Sequence, residues 1–185
     1  ATRVGGPRDG ELGGGARVSA PVDGSRAPVI INLSGETGES GAGQQRGDTD
    51  GACYRSKVGV ARNVASACAR AGKRFVHVST DYVFEGDRED PYLETDEGDA
   101  RTDWYGVSKR LAEDRVKQSV GDWTIVRVSF PYQRPSDRKP DLVRRIRAQL
   151  RTGPVSPLLS DQVLPPTFGA DWVGSWAPAA RTRAG

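Results

Sequence analysis

The chain has 185 residues, enough for one domain with a real core. Hydrophobic residues make up only 36%, but much of the glycine lies before residue 45, so the apolar deficit is local. The net charge of +3 is small and the Lys and Arg residues are mixed with acids, which argues against a nucleic-acid surface; no apolar run is long enough for a transmembrane helix.

Residues 1–27 are dominated by Gly, Pro and charge, show neither a 3.6 nor a 2.0 period, and read as an irregular or flexible tail without the apolar core of a signal peptide. Pro28-Val29-Ile30-Ile31-Asn32-Leu33 is the first strand pattern, ending in Ser34-Gly35. Gly35, Gly38 and Gly41 fit a G-x-x-G-x-x-G spacing, but such a loop should open a helix, and residues 43–50 are poor helix formers. A helix is expected from about Ala52 to Ala71, with Val58, Ala61, Val64, Ala65 and Cys68 as its apolar stripe and Gly72 as its stop. Cys53 and Cys68 have no metal-ligand spacing, and two free thiols fit a cytoplasmic protein.

Phe75 to Ser79 is a buried-strand pattern, with Thr80-Asp81-Tyr82 at its C-terminal end, where open α/β sheets place ligands. His77 lies inside this strand and reads as structural. The loop from Glu85 to Asp103 carries nine acids against Arg88 and Arg101, and reads as a solvated loop held off the sheet by its charge. The next helix, from Trp104 to about Val120, carries Tyr105 and Lys109. A spacing of four residues sets the phenol and the ammonium on one face, about 6 Å apart along the axis. Asp122 to Ser129 is the following strand, leading into Phe130. Pro140 to Arg151 has helical periodicity with Leu142, Val143, Ile146 and Leu150 expected inward, and Asp171 reads as the N-cap of a short helix.

A hydroxyl at a strand end with a Tyr and a Lys on the next helix suits proton movement at a carbonyl. A nearby ammonium favours a phenolate, so Lys109 is expected to lower the pKa of Tyr105 and let it exchange a proton nearer neutral pH. Thr80 is positioned to hold the carbonyl oxygen. Hydride has to come from a cofactor, because no side chain supplies one.

Ser79-Thr80-Asp81-Tyr82-Val83-Phe84-Glu85-Gly86, Pro91-Tyr92-Leu93-Glu94 and Tyr105-Gly106-Val107-Ser108-Lys109 together resemble the extended short-chain dehydrogenase/reductases, and among these the dTDP-4-dehydrorhamnose reductase family. The resemblance runs from about residue 28 to 180. It implies an α/β fold, a Rossmann-like three-layer sandwich with a mostly parallel sheet lacking its leading β-α units. The implied division is a tail over 1–27, a core over 28–152 and a partial substrate lobe over 153–185.

It also implies NAD(P)H-dependent reduction of a 4-keto sugar nucleotide, with Thr80, Tyr105 and Lys109 catalytic. Ser34, Gly35, Ser79, Tyr105, Lys109 and Phe130 fall where relatives hold NADPH or NADH; Asp81, Tyr82, Phe84 and Phe130 fall where they hold the sugar nucleotide. No metal, nucleic acid or membrane is implied. The shortened sheet leaves an edge that favours a homodimer or a partner chain. Relatives usually carry Asn where Lys57 stands; an inward Lys57 would repel Lys109, an outward one would matter little. That substitution and the unrecognised phosphate loop leave a second reading open, a reductase-like binding or regulatory domain, or a truncated reductase unable to bind cofactor.

Overall fold

The structure is a computed structural model and describes residues 2–4, 21–34, 46–132, 140–155, 157, 160–161, 163–171 and 174. Four strands form one sheet in the order β1 (Thr2–Val4), β2 (Val29–Asn32), β3 (Arg74–Thr80), β4 (Trp123–Val128). β1 and β2 run parallel, as do β2 and β3, with Val4 opposite Asn32 and Asn32 opposite His77. The Rossmann-like class and the mostly parallel sheet agree with the sequence reading.

The start of the chain differs from it. Thr2–Val4 is an edge strand and 21–23 form a helical turn, both inside the segment read as irregular. Three residues are too few to show an alternation, so pairing with β2, not pattern, makes this a strand. Val22 from the helical turn is fully buried in the main core. Lys73 ties the same region down by donating to the carbonyls of Ser25 (2.7 Å) and Ala27 (2.9 Å).

The helix expected over 52–71 is present in three stretches: α1 (Ala52–Tyr54), a π-helical turn (Arg55–Gly59) and α2 (Val60–Arg70). Its predicted stripe of Val58, Ala61, Val64, Ala65 and Cys68 is buried against Ile30 and Phe75 of the sheet and Ala112 and Val116 of α3 (Trp104–Ser119). Each fully buried Val or Phe contributes about 1.5–3 kcal/mol, so this seam is the main source of stability. Burial pushes the Cys68 thiol up to about 12, which makes it an inert core residue. Gly72 ends the helix at φ 61°, a conformation that favours glycine.

Asp103 begins α3 by accepting from the backbone N–H groups of Tyr105 (3.3 Å) and Gly106 (3.0 Å). Further along, Glu113 is 1% exposed and receives both arms of Arg127 from β4, at 3.1 and 2.8 Å. The third nitrogen of Arg127 donates to the Asp96 carbonyl (2.9 Å), and its guanidinium lies 4.7 Å from the Phe84 ring. Removing Arg127 leaves a buried carboxylate alone. Arg127→Met is expected to cost about 2 kcal/mol, below the value for a fully buried pair because Arg127 is partly exposed; chemical denaturation read by circular dichroism checks it.

The acidic loop is more ordered than its charge suggests. Its acids serve as backbone caps: Asp99 accepts from the Glu85 N–H (2.8 Å), Glu85 from the Arg101 N–H (2.7 Å) and the Thr102 hydroxyl, and Asp96 from the Leu93 N–H (2.8 Å) and Arg88. These donors hold the Glu85 and Asp96 carboxyls below the usual range, the Thr102 hydroxyl leading for Glu85 and the Leu93 N–H for Asp96.

The chain divides into two compact units, one up to Arg127 and one from Val128 to Ala179, so residues 128–152, grouped with the core in the sequence reading, fall in the second unit. There Tyr132 bridges Phe168 and α4 (Leu142–Thr152) is capped by Asp141, whose side chain accepts from the Arg144 N–H at 2.9 Å. Val143 and Leu150, expected inward, are exposed. No helix among the described residues is long and apolar enough to cross a membrane.

Candidate active site

Parallel β2 and β3 finish on the same edge of the sheet, and the residues that follow them form the site. At the end of β2, Asn32 Oδ1 accepts from the Ser34 N–H (3.0 Å) and the Ser34 hydroxyl (2.5 Å), while Asn32 Nδ2 lies 3.2 Å from His77 Nδ1 on β3. His77 is held well below its ordinary pKa by burial, with Lys109 adding to the effect, so it is neutral. Its Nε2 and the Ser79 hydroxyl are buried without a hydrogen-bond partner among the described residues.

Thr80 ends β3 and starts a single 3-10 turn (Asp81–Val83) by accepting from the Tyr82 N–H at 3.3 Å. Its hydroxyl is 3.1 Å from Asp81 Oδ1 and acts to lower the pKa of the Tyr105 phenol. Tyr82 meets Tyr105 edge-on, with ring centroids 5.8 Å apart. The close docking of α3 on this turn depends on Gly106, where a Cβ would lie 2.0 Å from the Tyr82 carbonyl oxygen.

One turn after Tyr105, Lys109 is 5% exposed and donates to the Val78 carbonyl at 2.7 Å. Burial lowers its pKa to about 8; Glu113 opposes the fall and Lys57 adds to it. The phenol of Tyr105 is shifted up, chiefly by burial, with the Thr80 hydroxyl acting the other way. This departs from the expectation that Lys109 pulls Tyr105 down. The Lys109 ammonium is turned to the Val78 carbonyl, while burial leads the rise of the phenol and Asp81, Asp103 and Tyr82 push the same way.

Ser79, Thr80, Asp81, Tyr82, Tyr105 and Lys109 are therefore brought together, with Ser34 at the adjoining strand end. Gly35 and the glycines at 38 and 41 lie outside the described residues. Phe84 stacks on Tyr92 with ring centroids 3.9 Å apart and carries Arg127 on its ring, contacts that pin the acidic loop. Phe130 belongs to the second unit and has φ 36°, a left-handed conformation uncommon for a bulky residue.

Three contributors escaped the sequence reading. Asp103 was counted only as a loop acid, although an acid just before a helix is a cap signal. Glu113 stands four residues beyond Lys109 and so shares its face. The third is the pairing of Lys57 with Cys53. Lys57 points inward, 3% exposed, with Nζ 2.9 Å from Cys53 Sγ and 5.3 Å from the centre of the Tyr105 ring.

A family model described as the RmlD substrate binding domain matches residues 8–184. A dTDP-4-dehydrorhamnose reductase of Burkholderia thailandensis is 30% identical over 175 residues, covering 94% of this chain and 56% of that protein. One from Mycobacterium tuberculosis is 32% identical over 147 residues, 77% of this chain and 46% of that protein. The chain thus spans about half the length of the curated relatives it matches. Among solved structures, a dTDP-4-dehydrorhamnose reductase from Bacillus anthracis in complex with NADP superposes with a TM-score of 0.78 at 28% identity, covering 94% of this chain and 59% of that one.

Proposed function

This chain belongs to the RmlD substrate binding domain family, and we propose that it carries the acid-base half of an NAD(P)H-dependent reductase of a 4-keto sugar nucleotide. The observation behind this reading is the grouping of the Thr80 hydroxyl, the Tyr105 phenol and the buried Lys109 ammonium at the C-terminal end of a parallel strand. Thr80 holds the substrate carbonyl oxygen, and Tyr105 gives that oxygen a proton. Burial keeps the phenol protonated at neutral pH, which suits a donor. Lys109, fixed by the Val78 carbonyl, fixes the geometry of that end of α3.

The residues present fit a nicotinamide cofactor. Lys109 uses one of its three N–H donors on Val78, the Ser79 hydroxyl is buried and unpartnered, and Ser34 stands at the neighbouring strand end. These groups would hold its ribose and amide end. The hydride is what a reduced nicotinamide supplies here. Asp81 and Tyr82, beside Thr80, are proposed to contact the sugar. The likeness to dTDP-4-dehydrorhamnose reductases and the NADP in the solved relative support both ligands. The reading fits a cytoplasmic biosynthetic enzyme.

A second reading is a reductase-like domain that binds without turnover, favoured by the inward Lys57, an ammonium beside the one the proton chemistry uses. Titration with NADPH and NADH, read by energy transfer from the four Trp residues, tests whether cofactor binds, and NADPH oxidation with a 4-keto sugar nucleotide then separates the two. Micromolar binding is expected. No binding at millimolar cofactor would overturn the reductase reading.

A further inference from the structure

Lys57 and Cys53 meet side chain to side chain, and the reductase reading gives neither of them a task. Lys57 Nζ lies 2.9 Å from Cys53 Sγ, and both residues are buried, at 3% and 2% exposure. Cys53 is in no disulfide. The helix builds this contact. The two residues stand four apart, the spacing that sets side chains on one face, and Lys57 lies in the π-turn, where the Val60 N–H reaches back to the Arg55 carbonyl. A separate observation comes from α3. Trp104 packs with Cys53, and its indole N–H is buried without a hydrogen-bond partner among the described residues. A sulfur, a nitrogen in contact with it and an unused donor in the same cluster make a reaction site beside the Thr80, Tyr105 and Lys109 group.

We propose that Cys53 and Lys57 are an oxidation site, at which hydrogen peroxide joins Sγ to Nζ by a covalent sulfur–nitrogen bond. In the first step the thiol sulfur attacks the peroxide: an S–O bond forms, the O–O bond breaks, and a sulfenic acid and water result. Sulfur is oxidised by two electrons and the peroxide is reduced by two. The Trp104 N–H is a donor for the sulfenic oxygen. A sulfenic acid condenses with a nearby nitrogen. In the second step Nζ attacks Sγ: the S–N bond forms, the S–O bond breaks, and the oxygen leaves as water. Lys57 enters as an ammonium and gives up two protons, one to that water and one to solvent. No outside oxidant or reductant enters this step. The contact of 2.9 Å is already that of a near-attack arrangement, so neither side chain has to be carried to the other.

The place of Cys53 admits the oxidant. It sits in the three-residue helix α1, whose N-cap Gly51 makes no side-chain cap hydrogen bond. An uncapped first turn opens locally, and hydrogen peroxide is little larger than water. Cys68 is the contrast, fully buried in α2 with the main core around it. The amine beside Cys53 intercepts the sulfenic acid before a second peroxide takes it to the sulfinic stage.

The test is mass spectrometry of the full chain after treatment with hydrogen peroxide, followed by tryptic mapping. The chain has no methionine and two cysteines, so sulfur oxidation falls on Cys53 and Cys68 alone. The expected product has lost two hydrogens and gained no oxygen, and dithiothreitol returns it to the parent mass. Trypsin cuts after Arg55, so the new bond should appear as two joined peptides, one with Cys53 and one with Lys57. Cys53→Ser and Cys53→Ala should both abolish the product. Lys57→Gln should abolish it too and leave Cys53 to gain oxygen instead. Cys68→Ser should keep it. Neither cofactor nor sugar nucleotide is added, so the outcome is independent of whether the chain is a reductase. A product that survives Lys57→Gln overturns the proposal, as does one that vanishes in Cys68→Ser, the mark of a disulfide. So does a joined pair that retains an oxygen, or a Cys53 that stays a thiol or gains oxygen with Lys57 unlinked.

Discussion

Tyr105→Phe is expected to lower kcat/KM for a 4-keto sugar nucleotide by about 10²–10⁴-fold, with nearly all of the loss in kcat. The substitution removes one oxygen and leaves the ring. The edge-on contact with Tyr82 and the packing beside Cys53 and Trp104 remain, so α3 keeps its place and cofactor affinity stays near the parent value. What disappears is the phenol whose pKa the Thr80 hydroxyl lowers. No other described acid stands ready to replace it: Lys109 is engaged by Val78, and His77 is buried, neutral and bonded to Asn32.

The pH profile carries the sign. A phenol shifted up by burial stays protonated through neutrality, so in the direction of carbonyl reduction activity is present at low pH and is lost as pH rises through its pKa. Tyr105→Phe should erase that limb. Steady-state rates with NADPH in excess read both effects. A variant within tenfold of the parent would remove Tyr105 from the chemistry while leaving the fold assignment intact.

How much of this was legible in the sequence follows from how local each signal is. The apolar stripe from Val58 to Cys68 and the stop at Gly72 needed only neighbours in the chain, and they are where periodicity and turn chemistry put them. The grouping of Thr80 with Tyr105 and Lys109 was read from a strand end and a four-residue spacing across a 24-residue gap, and the structure closes that gap through the close docking of Gly106 on the 3-10 turn. Signals that depend on tertiary contact were lost. Thr2–Val4 is a strand because β2 is beside it. The acids of the 85–103 loop look like solvated charge until their N–H donors are seen. The direction of the Tyr105 shift depends on how deeply the ring is buried and where the Lys109 ammonium points, neither of which a spacing contains. The inward aim of Lys57 depends on a π-turn, which inserts one residue into the helical count and rotates the side chains that follow.

Gly106→Ala should be the most damaging glycine-to-alanine change among the described residues of the first unit, with a loss of about 3 kcal/mol or more and a fall in Tm of about 10 °C. The reason is steric and fixed by backbone on both sides. A Cβ at this position would lie 2.0 Å from the Tyr82 carbonyl oxygen, 3.1 Å from the Tyr82 carbonyl carbon and 3.3 Å from the Ala100 Cβ. None of these is the end of a flexible chain. Relief requires the whole Asp81–Val83 turn to move off α3, and that turn is fastened by the Thr80 hydroxyl below it and by the Ala100 N–H to the Val83 carbonyl at 2.9 Å. The displacement would pull Thr80 away from Tyr105, so loss of stability and loss of the acid-base pair are expected together. Helix propensity works in the opposite sense, since Ala is favoured over Gly by about 1 kcal/mol in a helix, and a destabilised variant would therefore report the clash alone. Gly59→Ala is the matched comparison: its Cβ would meet nothing within 4 Å at a helical φ, so it should leave Tm unchanged or raise it slightly. Thermal unfolding of the two variants side by side decides the matter. A Gly106→Ala protein that melts with the parent would mean that the turn and α3 are not in the contact on which the Thr80–Tyr105 pairing depends.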